Sequence, residues 1–377
     1  MAEKIIIICG EPSGDLNAAN LAKAIKGINP EVKIIAVGGT HLRNAGVEIC
    51  YDIKGLSVIG FFDALKKLPK FFALKDFILK KIAQENPDAV IFVDFSGFNL
   101  RLAKSINNKV PTIYYISPQV WASRPGRVKT IRAYIRKLIA IFKFEIDFYK
   151  KYGIDADFVG HPLLDIVQPT MPPDEFLDKF GIKKDKNIIA LLPGSRKQEV
   201  RRILPVMLGA ASLINKDYAA QFLIAKSPEV NPDIYNNITA ESNLDLKIID
   251  GLTHDCLNAS QFCLVASGTA TLETAIMQKP LVVIYKMSLL NYLLYRPQVK
   301  VPYIGMVNIV AGKLIVPECV QFKATAENIA KAALNILKNP RELALMKENL
   351  TQIKSLLGEK GASLRAARII TDFLRKS

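Results

Sequence analysis

The sequence has few of the residues that build metal sites and disulfide frameworks. Its 377 residues include three histidines and five scattered cysteines, and neither a CxxC pair nor an HExxH motif occurs. A dedicated zinc site is therefore not expected. An odd number of unclustered cysteines is typical of free thiols in a reducing cytosol. We expect no metal and no cofactor.

Long apolar runs are also absent. No stretch approaches the roughly 18 uninterrupted apolar residues that a membrane-spanning helix needs. The apolar run Ile5–Cys9 is too short for a secretory signal and leads straight into a glycine turn. We therefore expect a soluble or peripheral protein.

Positive charge is in excess and unevenly placed. The chain carries 51 basic and 35 acidic side chains, a formal net charge of +16. Residues 54–81 hold seven Lys or Arg against two acids, and residues 121–151 hold nine against two. This favours a phospholipid surface, a phosphorylated substrate or a nucleic acid as partner, although such charge can serve solubility alone. Nucleic acid is not expected, because interleaved aromatics at base-stacking spacing are missing.

Short β-branched apolar runs alternate with amphipathic stretches of helical length in both halves of the chain. The predicted strands are Lys4–Cys9, Lys33–Val37, Ala89–Asp94, Pro111–Ile116 and Lys137–Phe142, then Asn187–Leu192, Gln221–Ala225, Leu246–Ile249, Phe262–Ala266 and Leu281–Tyr285. Strands that are apolar throughout are buried on both faces, as in parallel sheets covered by helices. The pattern predicts an α/β fold of two doubly wound, Rossmann-like domains.

The domain boundaries follow from prolines and from the change of pattern near the end. Four prolines crowd residues 162–173, and from Thr325 onward the pattern is purely helical. We expect domains over residues 1–165 and 174–325, followed by C-terminal helices over 326–377. In such proteins ligands bind at the carboxyl ends of the strands, in the crevice between the halves.

Two loops of the first half follow predicted strands. Gly10–Asp15 offers close backbone approach and free amides at a helix start. It matches neither GxGxxG nor GxxxxGK[ST], and taken alone it favours a tight turn with Asp15 as a cap. Asp94 ends an apolar strand and is followed by Phe95-Ser-Gly-Phe-Asn99. It is placed as a general base would be, or it caps the next helix.

The only tryptophan, Trp121, follows the fourth strand and precedes four cations, Arg124, Arg127, Lys129 and Arg132. This combination suits a sugar or acyl surface beside a phosphate. A solvated basic helix with a core tryptophan is the alternative.

Two loops of the second half favour an anion site. Gly194 and Ser195 offer amides at a helix start, and Arg196 adds a bidentate cation. A capping box from Ser195 to Glu199 is one residue too long and explains less.

The second of these loops, Ser267-Gly268-Thr269, also places small residues and free amides at a helix start. Glu273 lies one turn further, where a carboxylate can accept from ribose hydroxyls. The two loops together predict a metal-free diphosphate cradle. Asp155 and Asp157 form a DxD, but they precede a strand, and a polar turn is the favoured interpretation.

Five motifs in chain order resemble the lipid-A-disaccharide synthase family, glycosyltransferase family 19. They are Gly10–Asp15, Tyr115–Trp121, Val159–Leu163, Leu192–Arg196 and Ser267–Glu273. The resemblance implies a metal-independent, inverting enzyme of the GT-B type, with two domains facing a central cleft. Such an enzyme joins UDP-2,3-diacylglucosamine to 2,3-diacylglucosamine 1-phosphate at the cytoplasmic face of the inner membrane, giving a β-1,6-linked disaccharide 1-phosphate and UDP.

The resemblance also assigns roles to residues. Asp94 becomes the essential carboxylate and Arg196 the diphosphate arginine. Residues 1–165 become the acceptor and membrane-facing domain, and residues 174–325 the UDP-sugar domain. Further substrate contacts are expected at Ser13, Gly14, Asp15, Asn99, Gln119, Trp121, His161, Gly194, Ser195, Ser267, Gly268, Thr269 and Glu273. For His161, a core imidazole is equally plausible.

Residues 56–81 interleave aromatics and lysines. Phe71, Phe72, Leu74, Phe77 and other apolar residues spread beyond one face of a helix. This predicts an interfacial segment that meets an anionic membrane surface. The alternative is a set of helices that are buried on the first sheet or in a homodimer.

Two other classes of function compete with the glycosyltransferase. A UDP-N-acetylglucosamine 2-epimerase of similar architecture would need no lipid-facing segment. A non-catalytic binding protein would keep its function when Asp94 is replaced by Ala.

Overall fold

The chain forms two compact units. The computed structural model describes residues 3–56 and 68–376. The first unit takes Met1–Pro162, Gln298–Lys300 and Leu357–Ser377, and the second takes Leu163–Pro297 and Val301–Leu356.

The first unit is built on a parallel sheet covered by helices. Its strands are β1 (Lys4–Ile8), β2 (Lys33–Gly38), β3 (Glu48–Asp52), β4 (Ala89–Val93), β5 (Thr112–Tyr115), β6 (Lys137–Ala140) and β7 (Ala156–Phe158), and within the described residues their order is β3-β2-β1-β4-β5-β6-β7. Its helices are α1 (Pro12–Ile28), α2 (Thr40–Asn44), α3 (Leu68–Glu85), α4 (Ser96–Ile106), α5 (Val128–Tyr134) and α6 (Lys143–Lys150). β1 and β4 are almost wholly buried, as their apolar sequences predict.

The second unit repeats this architecture. Its strands are β8 (Asn187–Leu192), β9 (Ala220–Lys226), β10 (Leu246–Asp250), β11 (Phe262–Ala266), β12 (Leu281–Tyr285) and β13 (Glu318–Val320), in the order β10-β9-β8-β11-β12-β13. Its helices are α7 (Leu163–Ile166), α8 (Pro173–Phe180), α9 (Lys197–Asp217), α10 (Pro232–Thr239), α11 (Thr253–Ala259), α12 (Thr269–Ile276), α13 (Leu289–Tyr295), α14 (Met306–Ala311), α15 (Ala326–Leu337) and α16 (Pro340–Leu356). The predicted α/β class with two doubly wound sheets is confirmed.

The helical end of the chain is confirmed as well. After α15 and α16, the last helix is α17 (Ala362–Lys376). It belongs to the first unit and packs along α1. The chain therefore contributes helices to both units after its last strand.

Two edge strands, β3 and β13, were not predicted. Their residues are mostly half-buried or exposed, and Glu48, Asp52 and Glu318 lie within them. An edge strand is covered on fewer sides than a central one, so its sequence lacks the continuous apolar run by which a buried strand is recognised.

Each sheet reverses its strand order once. In the first sheet the reversal lies between β1 and β4, and in the second between β8 and β11. Helices that follow the two central strands lie on opposite faces, and this leaves a crevice at their carboxyl ends. The predicted loops Gly10–Asp15 and Leu192–Arg196, and the residues Asp94 and Ser267, follow these four strands.

Residues 68–81 of the predicted membrane segment form the start of α3, whereas residues 57–67 lie outside the described residues. Leu74 and Ile78 are buried, so the expectation that the whole apolar set faces a membrane is wrong for these two. Phe72 is 58% exposed and Phe77 37%. Among the helices of the described ranges, none is long and apolar enough to cross a membrane.

Asp15 ties the first loop to its neighbour. Its buried carboxylate accepts hydrogen bonds from the backbone N–H of Gly39 at 2.7 Å and of His41 at 2.8 Å. These groups lie at the start of α2. Asp15 therefore caps α2 rather than its own helix, and it holds the β1–α1 loop against the β2–α2 loop.

Asp15→Asn should destabilise the protein. The amide keeps one acceptor oxygen but turns an NH₂ group toward a backbone donor, which costs roughly 1–3 kcal/mol of unfolding free energy. Urea denaturation followed by circular dichroism measures the change. Asp185→Asn, at an exposed position, is the matched control, and equal stability of the two variants would contradict the capping role.

Candidate functional site

Asp94 leaves β4 in a strained conformation. Asp94 and Phe95 both have φ of +51°, and left-handed residues other than glycine cost of order 1–3 kcal/mol each. Phe95 packs on Gly10, where an added Cβ would lie 2.3 Å from its ring. The glycine after β1 thus leaves room for the turn after β4. Paired strain of this kind is found at sites where geometry is held for function.

Two buried side chains hold the Asp94 backbone. The Asn99 amide donates to the Asp94 carbonyl at 2.8 Å, and the Tyr114 hydroxyl donates to the same oxygen at 2.5 Å. Both residues are fully buried. Asn99, predicted as a substrate contact, therefore supports the Asp94 turn from inside.

The pKa of the Asp94 carboxyl is raised toward neutral pH. Burial raises its pKa to about 6, with a smaller contribution from the Glu11 charge, and a hydrogen bond with the Phe95 backbone partly offsets both. The group is therefore mainly ionised at pH 7 but is a stronger base than an exposed aspartate. Gly14 lies beside it, since an added Cβ would sit 3.7 Å from Asp94 Cβ.

Aromatic rings cover the turn after β4. Phe95 and Phe98 stack at 5.2 Å between ring centroids, and Phe71 of α3 lies 5.9 Å from Phe95 and 6.0 Å from Phe98. Phe71 thus packs against the turn that carries Asp94. Phe71 is half-buried there, and its contact with a membrane stays a prediction.

Trp121 is anchored by a buried acid. Its indole N–H donates to Glu145 Oε1 at 2.9 Å, and Glu145 Oε2 accepts from the Phe142 N–H at 3.2 Å. Glu145 is fully buried, and burial raises its pKa to about 7. The indole N–H is thus directed into the protein, and the role of Trp121 as a substrate contact stays a prediction. Sequence reasoning missed Glu145, which no spacing rule connects to Trp121.

Three other predicted contacts of the first unit differ in exposure. Gln119 and Ser13 are exposed. His161 is buried, its ring lies 5.0 Å from that of Phe142, and burial lowers its pKa to about 3. The core interpretation of His161 fits this environment better, and its role as a substrate contact stays a prediction.

A group of arginines lies near the Asp94 turn. Half-burial lowers the pKa of Arg127, and the charges of Arg124 and Arg101 lower it further. The Arg127 charge also acts on the hydroxyl of Tyr114, which bonds the Asp94 carbonyl. The Arg124 guanidinium donates to Gln298 Oε1 at 3.0 and 3.1 Å. Mutually repelling guanidinium groups are stabilised by a bound anion.

The two predicted loops of the second unit meet in one cavity of about 370 Å³. Its lining residues lie at the carboxyl ends of four strands of this sheet or follow those ends. They are Leu192, Gly194, Ser195, Arg196, Glu199, Ala225, Ser227, Pro228, Thr253, Ala266, Ser267, Gly268, Thr269, Ala270 and Glu273. The predicted contacts Gly194, Ser195, Arg196, Ser267, Gly268, Thr269 and Glu273 are all among them.

Glu199 occupies part of the predicted cradle. Its Oε2 accepts from the backbone N–H of Ser195 at 3.1 Å and of Arg196 at 3.2 Å, and its Oε1 lies 3.6 Å from Arg196 Nη1. The helix cap is Arg196, so Glu199 has the spacing of a capping box. The expectation that no such box forms, based on Ser195, was wrong by one residue. Gly194, with φ of +111°, leaves room for the Glu199 carboxylate.

The start of α12 forms the other side of the cavity. The Ser267 hydroxyl donates to the Ile304 carbonyl at 3.0 Å, and its N–H donates to the Ile284 carbonyl at 2.8 Å. Gly268 is the N-cap residue of α12, and it has no side chain with which to make a cap hydrogen bond. The backbone donors that α12 can present at the cavity are the amides of Thr269 and Ala270, since the Thr271 N–H donates to the Gly268 carbonyl at 3.2 Å.

The acid of the lining, Glu273, is paired with a histidine. His254 Nε2 lies 3.6 Å from Glu273 Oε2, and this pairing raises the pKa of His254. His254, Thr253 and Ser227 were missed because the loops after β9 and β10 were not considered. The rule that ligands bind at the carboxyl ends of strands would have included them.

The DxD has no place in either site. Asp157 lies within β7, so the expectation that it precedes the strand in a polar turn is wrong for this residue, and its Oδ2 is 2.6 Å from Lys137 Nζ. Over residues 3–56 and 68–376, no group of three or more His, Cys, Asp or Glu is arranged to hold a metal ion.

Solved structures share the fold of this chain. A solved structure of the MnaA–UDP complex of S. aureus matches with a TM-score of 0.67 at 17% identity, covering 99% of this chain and 97% of that one. A glycosyltransferase from Rickettsia africae matches with a TM-score of 0.60 at 16% identity, covering 100% and 99%. The fold is that of the GT-B glycosyltransferases and related epimerases.

Sequence comparison identifies the family to which the chain belongs. A model of the lipid-A-disaccharide synthetase family matches residues 5–371. The lipid-A-disaccharide synthase of Syntrophus aciditrophicus is 41% identical over 99% of this chain and 98% of its own length. That of Myxococcus xanthus is 36% identical over 98% and 97%. The chain belongs to the lipid-A-disaccharide synthetase family.

The emission of Trp121 should report the ionisation of Glu145. Trp121 is the only tryptophan, and the Glu145 pKa of about 7 places the charge change beside its indole N–H. A fluorescence titration between pH 5.5 and 8.5 should show a transition near pH 7. Asp94→Asn should keep that transition and Glu145→Gln should remove it. The same transition in Glu145→Gln would contradict the assignment.

Proposed function

We propose that the protein is a lipid-A-disaccharide synthase that transfers diacylglucosamine from UDP-2,3-diacylglucosamine to 2,3-diacylglucosamine 1-phosphate. The family supports the reaction. The observation that supports the mechanism is a carboxylate of raised pKa, Asp94, in the first unit of a chain whose second unit has a cavity lined by Arg196 and by residues at two helix starts.

The cavity of the second unit is proposed to hold UDP. The Arg196 guanidinium and the first-turn amides of α12 would bind the diphosphate, and Glu273 would accept from ribose hydroxyls. These fixed donors stabilise the charge that develops as the diphosphate leaves. Glu199 already takes the amides of Ser195 and Arg196. The amides of Ser195 and Arg196 can donate to the diphosphate only if the Glu199 carboxylate moves away from them.

Asp94 is proposed to act as the base. The 6-hydroxyl of the acceptor attacks the anomeric carbon of the donor, its proton passes to the Asp94 carboxylate, and the bond to the diphosphate breaks to release UDP. Attack opposite the leaving group inverts the anomeric centre and gives the β-1,6 linkage. The transition state resembles the oxocarbenium ion of glycoside hydrolysis. No step in this scheme assigns a role to a metal ion or a cofactor.

The acceptor phosphate is proposed to bind the arginine group. Arg127 and Arg124 follow Trp121, and Arg127 acts electrostatically on the side chain that supports the Asp94 turn. A phosphate would relieve the repulsion among these guanidinium groups. Trp121 would present its ring to the sugar or to an acyl chain.

The protein is proposed to work at the cytoplasmic face of the inner membrane as a peripheral protein. On α3, Phe72 and Phe77 are exposed, and Lys70 and Lys80 are exposed as well. Aromatics with neighbouring lysines suit an anionic lipid surface. Homodimer formation remains a prediction.

Product analysis tests the reaction itself. The pure protein, UDP-diacylglucosamine and the phosphorylated monosaccharide are incubated with a metal chelator, and the products are weighed by mass spectrometry. We expect UDP and the disaccharide 1-phosphate. A donor epimerised at C2, or no product at all, would favour the epimerase or the binding protein instead.

Asp94→Asn should lower kcat by about 10²–10⁴-fold, the range for loss of a general base, while calorimetry finds unchanged UDP affinity. In the unmodified protein kcat/KM should fall as pH drops below about 6, since protonation removes the base. Asp88→Asn, at the opposite end of β4, is the control. A flat profile between pH 5 and 7.5 would show an orienting group rather than a base.

Arg127→Gln should raise KM for the phosphorylated acceptor by about tenfold or more, because a charge-assisted hydrogen bond is lost, with a smaller effect on kcat. With an acceptor that lacks the 1-phosphate, the variant and the parent should have the same KM. Arg132→Gln, exposed on α5, is the matched control. Equal KM increases for both acceptors would exclude a phosphate contact.

A further inference from the structure

An apolar helix of the second unit is turned to solvent. α13 has the sequence Leu-Leu-Asn-Tyr-Leu-Leu-Tyr, and the Ser288 side chain caps it by accepting from the Asn291 N–H at 3.3 Å. Leu289, Leu290, Leu293 and Leu294 are 54, 52, 61 and 41% exposed. Single exposed leucines are ordinary, but a contiguous apolar surface marks an interaction site.

The spacing and one neighbouring ring extend this surface. Leu289 and Leu293, like Leu290 and Leu294, are four residues apart and lie on one side of the helix. Phe322 is 70% exposed, and its ring meets that of Tyr292 edge-on at 5.7 Å. We call the four leucines and Phe322 the leucine patch.

The charge around the leucine patch has one sign. Residues 286–323 contain five Lys or Arg and a single acid, Glu318. The Glu318 carboxylate accepts from the N–H groups of Ile304 and Gly305, each at 2.9 Å. Arg296, next to the end of α13, and Lys323, next to Phe322, are exposed. The segment therefore offers cations to a partner and engages its one carboxylate internally.

We propose that the leucine patch docks on an anionic phospholipid bilayer. A short helix with leucines on one side enters the acyl boundary to a shallow depth, and flanking cations meet lipid phosphates. The cations around the patch complement an anionic surface. Residues 56–81 are a separate segment in the first unit, so this surface is an additional lipid contact.

The position of the leucine patch indicates how docking on a bilayer would serve the proposed reaction. α13 begins shortly after β12, which pairs with β11 in the sheet. Tyr285 is the last residue of β12, and its hydroxyl interacts electrostatically with Glu199, Arg196 and Tyr295. The patch thus lies on the β12 side of the proposed UDP cavity, where an acylated donor would leave the bilayer. This use depends on the proposed function, whereas the docking does not.

Vesicle flotation of the full chain tests the docking without any substrate. The variant Leu289→Ser, Leu290→Ser, Leu293→Ser is compared with a control that carries the same changes at three other exposed leucines, Leu345, Leu356 and Leu364. The vesicles are phosphatidylcholine with or without phosphatidylglycerol. We expect the patch variant to lose about tenfold or more in binding to the anionic vesicles, and the control to bind like the parent.

Three readouts separate the outcomes. A circular-dichroism spectrum and a thermal unfolding midpoint like those of the parent show that the patch variant is folded. Equal vesicle binding by the patch variant and the control would overturn the proposal. A change of oligomeric state in sedimentation velocity, with vesicle binding intact, would make the patch an interface between copies of this chain and overturn it too. Product formation, measured separately, reports on the proposed function alone.

Discussion

The reversal of strand order within a parallel sheet is the constraint on which both candidate sites depend. Burial on both faces fixes β1 and β4, and β8 and β11, as central neighbours, and their carboxyl ends then open into loops with helices on opposite faces. Asp94 follows the second of these strands and Ser267 the fourth. The positions of the candidate site residues thus follow from the apolar strands that build the cores.

The two sites use electrostatics in opposite ways. In the first unit, burial and the Glu11 charge make the Asp94 carboxyl a better base, and its left-handed turn is held by Asn99 and Tyr114. In the second unit, residues at two helix starts and the Arg196 side chain line the cavity that is proposed to bind the diphosphate. There the Glu199 carboxylate takes two of the amides itself. An internal anion therefore occupies part of the surface proposed for the diphosphate.

The central strands and the loops after them were predictable, whereas contacts between distant segments were not. Uninterrupted apolar runs identify buried strands, but β3 and β13 lie at edges and lack such runs. Asp15 was recognised as a cap, yet it caps α2, because the packing of two loops decides its partners. Glu145 has no signal in the sequence, since only the fold brings it to Trp121.

A crystal structure with UDP tests the central claim most directly, since the account places the diphosphate on the Arg196 guanidinium and the first turn of α12. It predicts phosphate oxygens within hydrogen-bond distance of Arg196 and the Thr269 amide, with the ribose at Glu273. A nucleotide bound outside the cavity between the ends of β8 and β11, or held there through a divalent cation, would contradict it.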